Sequence, residues 1–253
     1  MDFLDIIANV DEKEIKQLQL YVDCIDLLNS QGIVILKNYA NKDLLNQLND
    51  EFDRACTNSK KLKQNDNAFT TVKEPFVNCP ATVTLVMDSF IHDIVRGYLG
   101  KVKIGTCNLR QSHKHAGGPV TTEMFHCDQN CGKGVSLLKA FFYLNDVDTP
   151  DDGPFEYAPG SHKNRKLGWD REYRMPDKWV YDNYQTEVLT AKMGDVIVCD
   201  TSGFHRGRQV INKSRRMFTV NFVPGPEKES KFQIRRKDVP ENMLKVVEYL
   251  ELV

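Results

Sequence analysis

The sequence has no surplus of charge: 34 basic against 35 acidic side chains leave a formal −1. That removes the electrostatic footprint of a nucleic-acid or membrane-surface binder and leaves any anionic partner to a local patch. It has no apolar run long enough to span a bilayer. Its opening, MDFLDIIANVDEKEIK, lacks a basic stretch followed by a long apolar one, so neither a membrane span nor an export leader is expected. It also has no C-x-x-C pair. The seven cysteines, at 24, 56, 79, 107, 127, 131 and 199, form an odd, scattered set, which argues against a disulfide framework or a zinc ribbon and fits a reducing, cytoplasmic compartment. Internal repeats are absent. A length of 253 residues suits one domain over 1–253 with a full core.

What is present divides into helical and β patterns. In 11–30, Ile15, Leu18, Leu20, Val22, Ile25, Leu27 and Leu28 are assigned to one side of a helix that Gly32 ends. A short strand over 33–36 precedes a second helix, opened by Asn41 as a cap and carrying Leu44, Leu45, Leu48 and Phe52. A third helix is predicted over 82–99, with Gly100 past its end. The polar stretch 57–80, with Pro75 and Pro80, reads as a surface loop or lid. From 101 onward short apolar runs alternate with Gly, Pro, Asp and Asn turns, the pattern of a sandwich or jelly roll. The expected fold is mainly β with flanking helices (α+β): a helical part over 1–100, a β core over 101–224 and a charged tail over 225–253 with a helix near 241–252. In SLLKAFFYLND, Leu138, Ala140, Phe142 and Leu144 share a core face, and Lys139, Phe141, Tyr143 and Asn145 share the other. Phe218, Val220 and Phe222 alternate in the same way with Arg215, Met217, Thr219 and Asn221.

The chemistry-bearing residues are His126 and Asp128 in FHCDQN and His205 in DTSGFHRGRQV. Two imidazoles and one carboxylate are the ligands of the facial triad, which holds Fe(II) on one side and leaves open positions for a co-substrate and O2. His126 and Asp128 are two apart, so on a strand both side chains leave the same face, and Cys127 between them turns away.

The segments around these residues occur in a telling order. His126 and Asp128 are followed by Asp146-Val147, then Asp152 to Pro154 and Pro159 to Lys163 in DDGPFEYAPGSHK, then Gly194-Asp195, His205 and Arg215. In this order, and in the opening GIVILKNYANKDLLNQLNDEFDR, the chain from about 32 to 223 resembles the phytanoyl-CoA dioxygenase family of iron- and 2-oxoglutarate-dependent oxygenases. The resemblance implies a double-stranded β-helix with His126, Asp128 and His205 at one mouth. It also implies Fe(II), 2-oxoglutarate and O2 as cofactors, and an arginine holding the distal carboxylate of 2-oxoglutarate. A guanidinium suits that task because it stays charged and donates two parallel hydrogen bonds. Strand parity favours Arg215, which shares a face with Thr219 and Asn221, while the spacing from His205 keeps Arg216 as an alternative. Lys139, Tyr143 and Asn108 are further candidates for contact with co-substrate or substrate. Asn108 and Arg110 share a face that is either the pocket or solvent, and Lys73 falls where the family often places a co-substrate contact.

The reaction so implied is hydroxylation of an unactivated C–H bond of a small or carrier-linked metabolite, an anionic one if a local basic patch meets it, with release of succinate and CO2. Halogenating relatives replace the triad carboxylate by a small residue, and Asp128 is retained. Desaturation, epimerisation and ring formation use the same machinery, and a catalytically silent β-helix that binds a ligand or partner is the reading from another class. Several neighbouring residues have plainer expectations. His162 belongs to its turn, and His113 and His115 to a loop. Cys127 and Cys131 are packing residues. The basic set Lys163, Arg165, Lys166, Arg171, Arg174, Arg206 and Arg208 is either a substrate-anion patch or a solvated face. Trp169, Tyr173, Trp179 and Tyr181 form either a lid or the packing beneath a long loop.

Overall fold

Apolar residues in the first helix, α1 (Glu12–Gln31), run nearly all the way around it, and only one stripe is buried. That stripe is Cys24 and Leu28 in the core, with Tyr21 and Ile25 packed against it. Ile15, Leu18, Leu20, Val22 and Leu27 are exposed by 42–61%, so the expected apolar side is corrected to this narrower one. The computed structural model describes residues 12–128, 137–164 and 174–225. The tail helix near 241–252, Cys131, Arg165, Lys166, Trp169, Arg171 and Tyr173 lie outside the described residues.

Strand β1 (Ile33–Leu36) follows, then α2 (Lys42–Cys56), whose cap Asn41 accepts the amides of Asp43 and Leu44. The supposed loop over 57–80 is a second correction. It contains β2 (Leu62–Asn65) and β3 (Phe69–Val72), all of β3 being buried, and the short helix α3 (Pro75–Asn78). Its polar composition conceals a strand whose Thr70 and Thr71 are buried at the sheet. The helix predicted over 82–99 is two: α4 (Ala81–Val86) and α5 (Ser89–Leu99). Asp88 breaks them because its carboxylate caps α5, accepting from the Ile91 amide at 2.9 Å.

The remaining strands are β4 (Val102–Ser112), β5 (Leu138–Tyr143), β6 (Phe155–Tyr157), β7 (Glu187–Leu189), β8 (Val196–Asp200), β9 (His205–Gly207) and β10 (Arg215–Pro224), with α6 (Asp177–Asn183) before β7. They form an antiparallel seven-stranded sheet, ordered β1-β8-β5-β10-β4-β3-β2, and a three-stranded sheet, β7-β6-β9. Strand alternation divides the large sheet cleanly. Leu138, Ala140, Phe142, Phe218, Val220 and Phe222 pack outward against helical residues such as Leu45, Phe52, Ile91 and Ile94. On the inner face Ile33, Phe141, Tyr143 and Ile197 meet Phe155, Tyr157 and Leu189 of the small sheet. Two facing sheets with helices on one outer side make the double-stranded β-helix, and the space between the sheets at one end holds the site.

Candidate active site

His126 and His205 are 79 positions apart in the chain, and backbone pairing joins them. Each donates its amide to the other's carbonyl, at 3.0 and 2.9 Å. Directly opposed antiparallel residues present their side chains on one face, so the two imidazoles lie with ring centroids 4.3 Å apart. Asp128, two residues further on, is anchored by its amide to the Thr201 carbonyl at 2.9 Å and returns to the same face. One ligand atom from each of His126, Asp128 and His205 lies within 4.8 Å of the others.

Protonation of the three suits a cation. The Nδ1 atoms of His126 and His205 each stand 2.9 Å from a backbone carbonyl, of Met124 and Gly203. A carbonyl only accepts, so Nδ1 carries the proton and Nε2 the lone pair, the arrangement that orients a metal-binding imidazole. Burial holds both rings below the usual histidine range; for His205, with His126 beside it, the value is pushed down to about 3. Burial alone would raise Asp128, but the charge of Lys139 outweighs it and keeps the carboxylate ionised, well below the usual range. Lys139 Nζ approaches Asp128 Oδ2 at 2.8 Å as an ion pair, and that buried oxygen has no aligned hydrogen-bond donor. Two neutral nitrogens and one under-satisfied carboxylate oxygen fit a divalent ion of borderline softness such as Fe(II).

A cavity of about 210 Å³ adjoins the triad. Its floor is the inner face of the large sheet: Lys139 and Phe141 from β5, Arg215, Met217 and Thr219 from β10, Asn108, Arg110 and Ser112 from β4, and Phe69 from β3. Gly207, Phe155, Thr122 and the two triad histidines complete it. Arg215 is buried; its guanidinium donates to the Gly153 carbonyl and, at 3.5 Å, to Ser112 Oγ, while Nε is buried without a partner. A methyl group at Gly207 would stand 2.4 Å from Nη2 of Arg215, so glycine there leaves room for the guanidinium. A buried cation with an idle donor and no ion pair among the described residues suits the carboxylate of a bound acid.

The structure thus brings His126, Asp128, His205, Lys139, Asn108 and Arg215 to one space. It does not bring Arg216 there. Arg216 points to the helical side, with Asp53 at 2.7 Å, Asn49 at 2.8 Å and its Cζ 4.1 Å from the Phe52 ring centroid. Tyr143 is fully buried beneath the floor, its hydroxyl accepting from the Phe155 amide at 3.2 Å, and it does not line the cavity. Lys73 lines an adjoining groove.

Other expectations are corrected locally. Arg206 is buried against Glu156 at 2.8 Å and Asp177 at 2.7 Å, and Arg208 reaches Glu156 at 3.2 Å, so neither is a free anion-binding group. His115, on its loop, pairs with Glu123 at 3.0 Å, both side chains buried. His162 is buried in its turn against Gly32. Sequence reasoning did not single out Phe69, Ser112, Thr122 or Gly207. The strand holding Phe69 was hidden in the supposed loop, whereas Ser112 continues the alternation of Asn108 and Arg110 and was legible.

Comparison with known proteins agrees with this architecture. Residues 28–218 match the family described as phytanoyl-CoA dioxygenase (PhyH). Among solved structures, the non-heme α-ketoglutarate-dependent epimerase SnoN from nogalamycin biosynthesis is 14% identical with a TM-score of 0.64, covering 81% of this chain and 84% of that one. HygX from Streptomyces hygroscopicus, with nickel and 2-oxoglutarate bound, is 16% identical with a TM-score of 0.62, covering 82% and 86%. EctD from S. alaskensis, with bound Fe, is 18% identical with a TM-score of 0.60, covering 79% and 75%. At these identities the likeness establishes the fold. No curated protein matches the chain. Among the described residues no helix is long and apolar enough to cross a membrane.

Proposed function

The chain belongs to the phytanoyl-CoA dioxygenase family, and on that footing we propose that it is an Fe(II)- and 2-oxoglutarate-dependent enzyme that hydroxylates a C–H bond of a small-molecule substrate, with release of succinate and CO2. The observation that carries this reading is the convergence of the three ligand atoms within 4.8 Å on a cavity that also holds the buried guanidinium of Arg215.

His126, Asp128 and His205 would hold Fe(II) from one side; the metal, when bound, supplies the activation of O2 at its open positions. Every other contribution is the chain's own. Arg215 would take the distal carboxylate of 2-oxoglutarate on its idle Nε edge. Lys139 steadies Asp128 and keeps it ionised. Phe69, Phe141, Phe155 and Met217 supply apolar wall, which excludes water and fixes the reacting carbon. Asn108, on the rim shared with the adjoining groove, would hydrogen-bond co-substrate or substrate. The carboxylate at Asp128 supports hydroxylation over halogenation, because it fills the position a halide would need.

Anaerobic protein given Fe(II) and 2-oxoglutarate should develop the charge-transfer absorption of a chelated co-substrate, and in air it should release succinate. Asp128→Ala should abolish hydroxylation and diminish both signals. Succinate release undiminished in that variant would overturn the ligand assignment, and no binding of iron or 2-oxoglutarate by the wild type would favour a silent binding protein.

A further inference from the structure

The cavity floor carries more positive charge than the proposed co-substrate can neutralise. Its lining includes three cations, Arg110, Lys139 and Arg215, and no Asp or Glu. Lys139 is answered by Asp128 at 2.8 Å. Arg215 is answered, on the reading above, by 2-oxoglutarate. Arg110 is left over.

The nearest counter-charge, Asp66, acts on Arg110 without forming an ion pair, since that carboxylate accepts from Gln64 and from the Ala68 and Phe69 amides. Arg110 stands on β4 opposite Met217, two residues from Ser112, which is opposite Arg215. The two guanidiniums are therefore diagonal neighbours on one face, and like charges so placed repel. Nε donates to Thr71 Oγ1 at 3.0 Å, and Cζ sits 4.8 Å from the centroid of the Phe69 ring. These contacts fix the plane of the guanidinium, and among the described residues no ion pair within 4.0 Å engages its terminal nitrogens. With the distal carboxylate of 2-oxoglutarate held bidentately by Arg215, the guanidinium of Arg110 is left for a second anion.

Space points the same way. About 210 Å³ is below the roughly 300 Å³ at which pockets for drug-sized ligands begin, so co-substrate and a whole substrate do not fit together. A groove of about 610 Å³ opens beside it, sharing Asn108 as a wall and lined further by Val72, Lys73 and Phe76. From this we infer that the substrate is a small organic acid: Arg110 binds its carboxylate and the groove beyond Asn108 takes its body. This inference rests on the proposed function, with Arg215 committed to 2-oxoglutarate and Arg110 to the substrate.

The test uses the anaerobic Fe(II)·2-oxoglutarate protein, titrated with straight-chain acids from acetate to octanoate, with benzoate, and with the amide of each. Binding is read as perturbation of the charge-transfer absorption. At least one acid should bind the wild type about tenfold or more tightly than its amide, the preference expected of a charge-assisted hydrogen bond. Arg110→Gln should lose that preference while keeping its affinity for 2-oxoglutarate within about threefold, and Arg110→Lys, a point charge without the fork, should keep part of it. Circular dichroism and iron content check that each variant is folded; if Arg110→Gln is not, Arg110→Lys carries the comparison. Equal binding of acids and amides, no binding of any acid, or an Arg110→Gln loss of 2-oxoglutarate affinity matching that of Arg215→Gln would overturn the inference; the last result would assign both guanidiniums to the co-substrate. Absence of the absorption in the wild type would instead overturn the underlying function, and acid-over-amide preference would then be read by calorimetry on the metal-free protein.

Discussion

Arg215 and Arg216 are consecutive cations on one strand, and alternation sends them to opposite sides of the sheet. Arg216 has Gln111 at 2.9 Å, Asn49, Asp53 and the Phe52 ring for company, yet Asp53 is 64% exposed, so solvent screens that ion pair. Removing Arg216 as alanine should therefore cost about 1–2 kcal/mol, mostly lost hydrogen bonds and packing, and leave 2-oxoglutarate affinity unchanged. Arg215 should behave in reverse. It is a buried cation without an ion-pair partner among the described residues, and replacing such a charge by an apolar group of similar size is often neutral or stabilising. Arg215→Met is expected to melt no lower than the wild type while binding 2-oxoglutarate about tenfold or more weakly, checked by thermal unfolding beside anaerobic titration. Gly207→Ala probes the same guanidinium without touching it: the new methyl must displace Nη2, so 2-oxoglutarate affinity should fall while iron binding persists. Equal loss of both ligands would mean that the strand, not the guanidinium, had moved.

At the scale of elements, the sequence was legible where burial imposes a period. Residues 138–144 and 215–222 alternate because one face meets the helices and the other the cavity, and that parity alone separates Arg215 from Arg216. Parity did not exclude Tyr143, since sharing a face with Lys139 does not tell how deep along the strand the cavity extends. Residues 57–80 were illegible for a physical reason: β3 is short, half threonine, and packed between β2 and β4, so no apolar run advertises it. The break between α4 and α5 was also missed, although Asp88 is a good capping residue. Its carboxylate accepts from both the Ile91 amide at 2.9 Å and the Tyr39 hydroxyl at 2.7 Å. Asp88→Ala should thus destabilise by about 2 kcal/mol, a lost cap together with a stranded hydroxyl. Because Tyr39→Phe removes the second of these, the double variant should be less destabilised than the sum of the singles in denaturant unfolding; strict additivity would show that the hydroxyl contact contributes nothing.

For the whole molecule, two buried carboxylates tie distant segments and set the response to acid. Asp152 accepts from the Asp148 and Thr149 amides, the Thr149 hydroxyl, Asn212 and the Lys213 amide, joining the turn before β6 to the one before β10. Asp195 accepts from Lys37 Nζ and from the Asn38 and Lys192 amides, joining the segment after β1 to the start of β8. Burial would raise both, but these donors outweigh it, and each carboxyl is held below the usual aspartate range. The sign follows from linkage. An unfolded aspartate takes up its proton near pH 3.9, and the folded one only at lower pH. Stabilisation from Asp152 and Asp195 is therefore complete at neutral pH and is lost as the pH falls from about 4 through the folded values. Replacing both by asparagine should lower the urea midpoint at neutral pH, since amides accept more weakly than carboxylates and bring donors of their own. The same replacement should flatten the decline of that midpoint below about pH 4, because the groups that distinguished folded from unfolded chains by proton uptake are gone. Wild type and double variant measured in the same acid buffers give the comparison, with other titrating groups common to both. Parallel declines would mean that these two carboxylates do not govern the acid limb, and that the acid sensitivity of the molecule resides elsewhere in the fold.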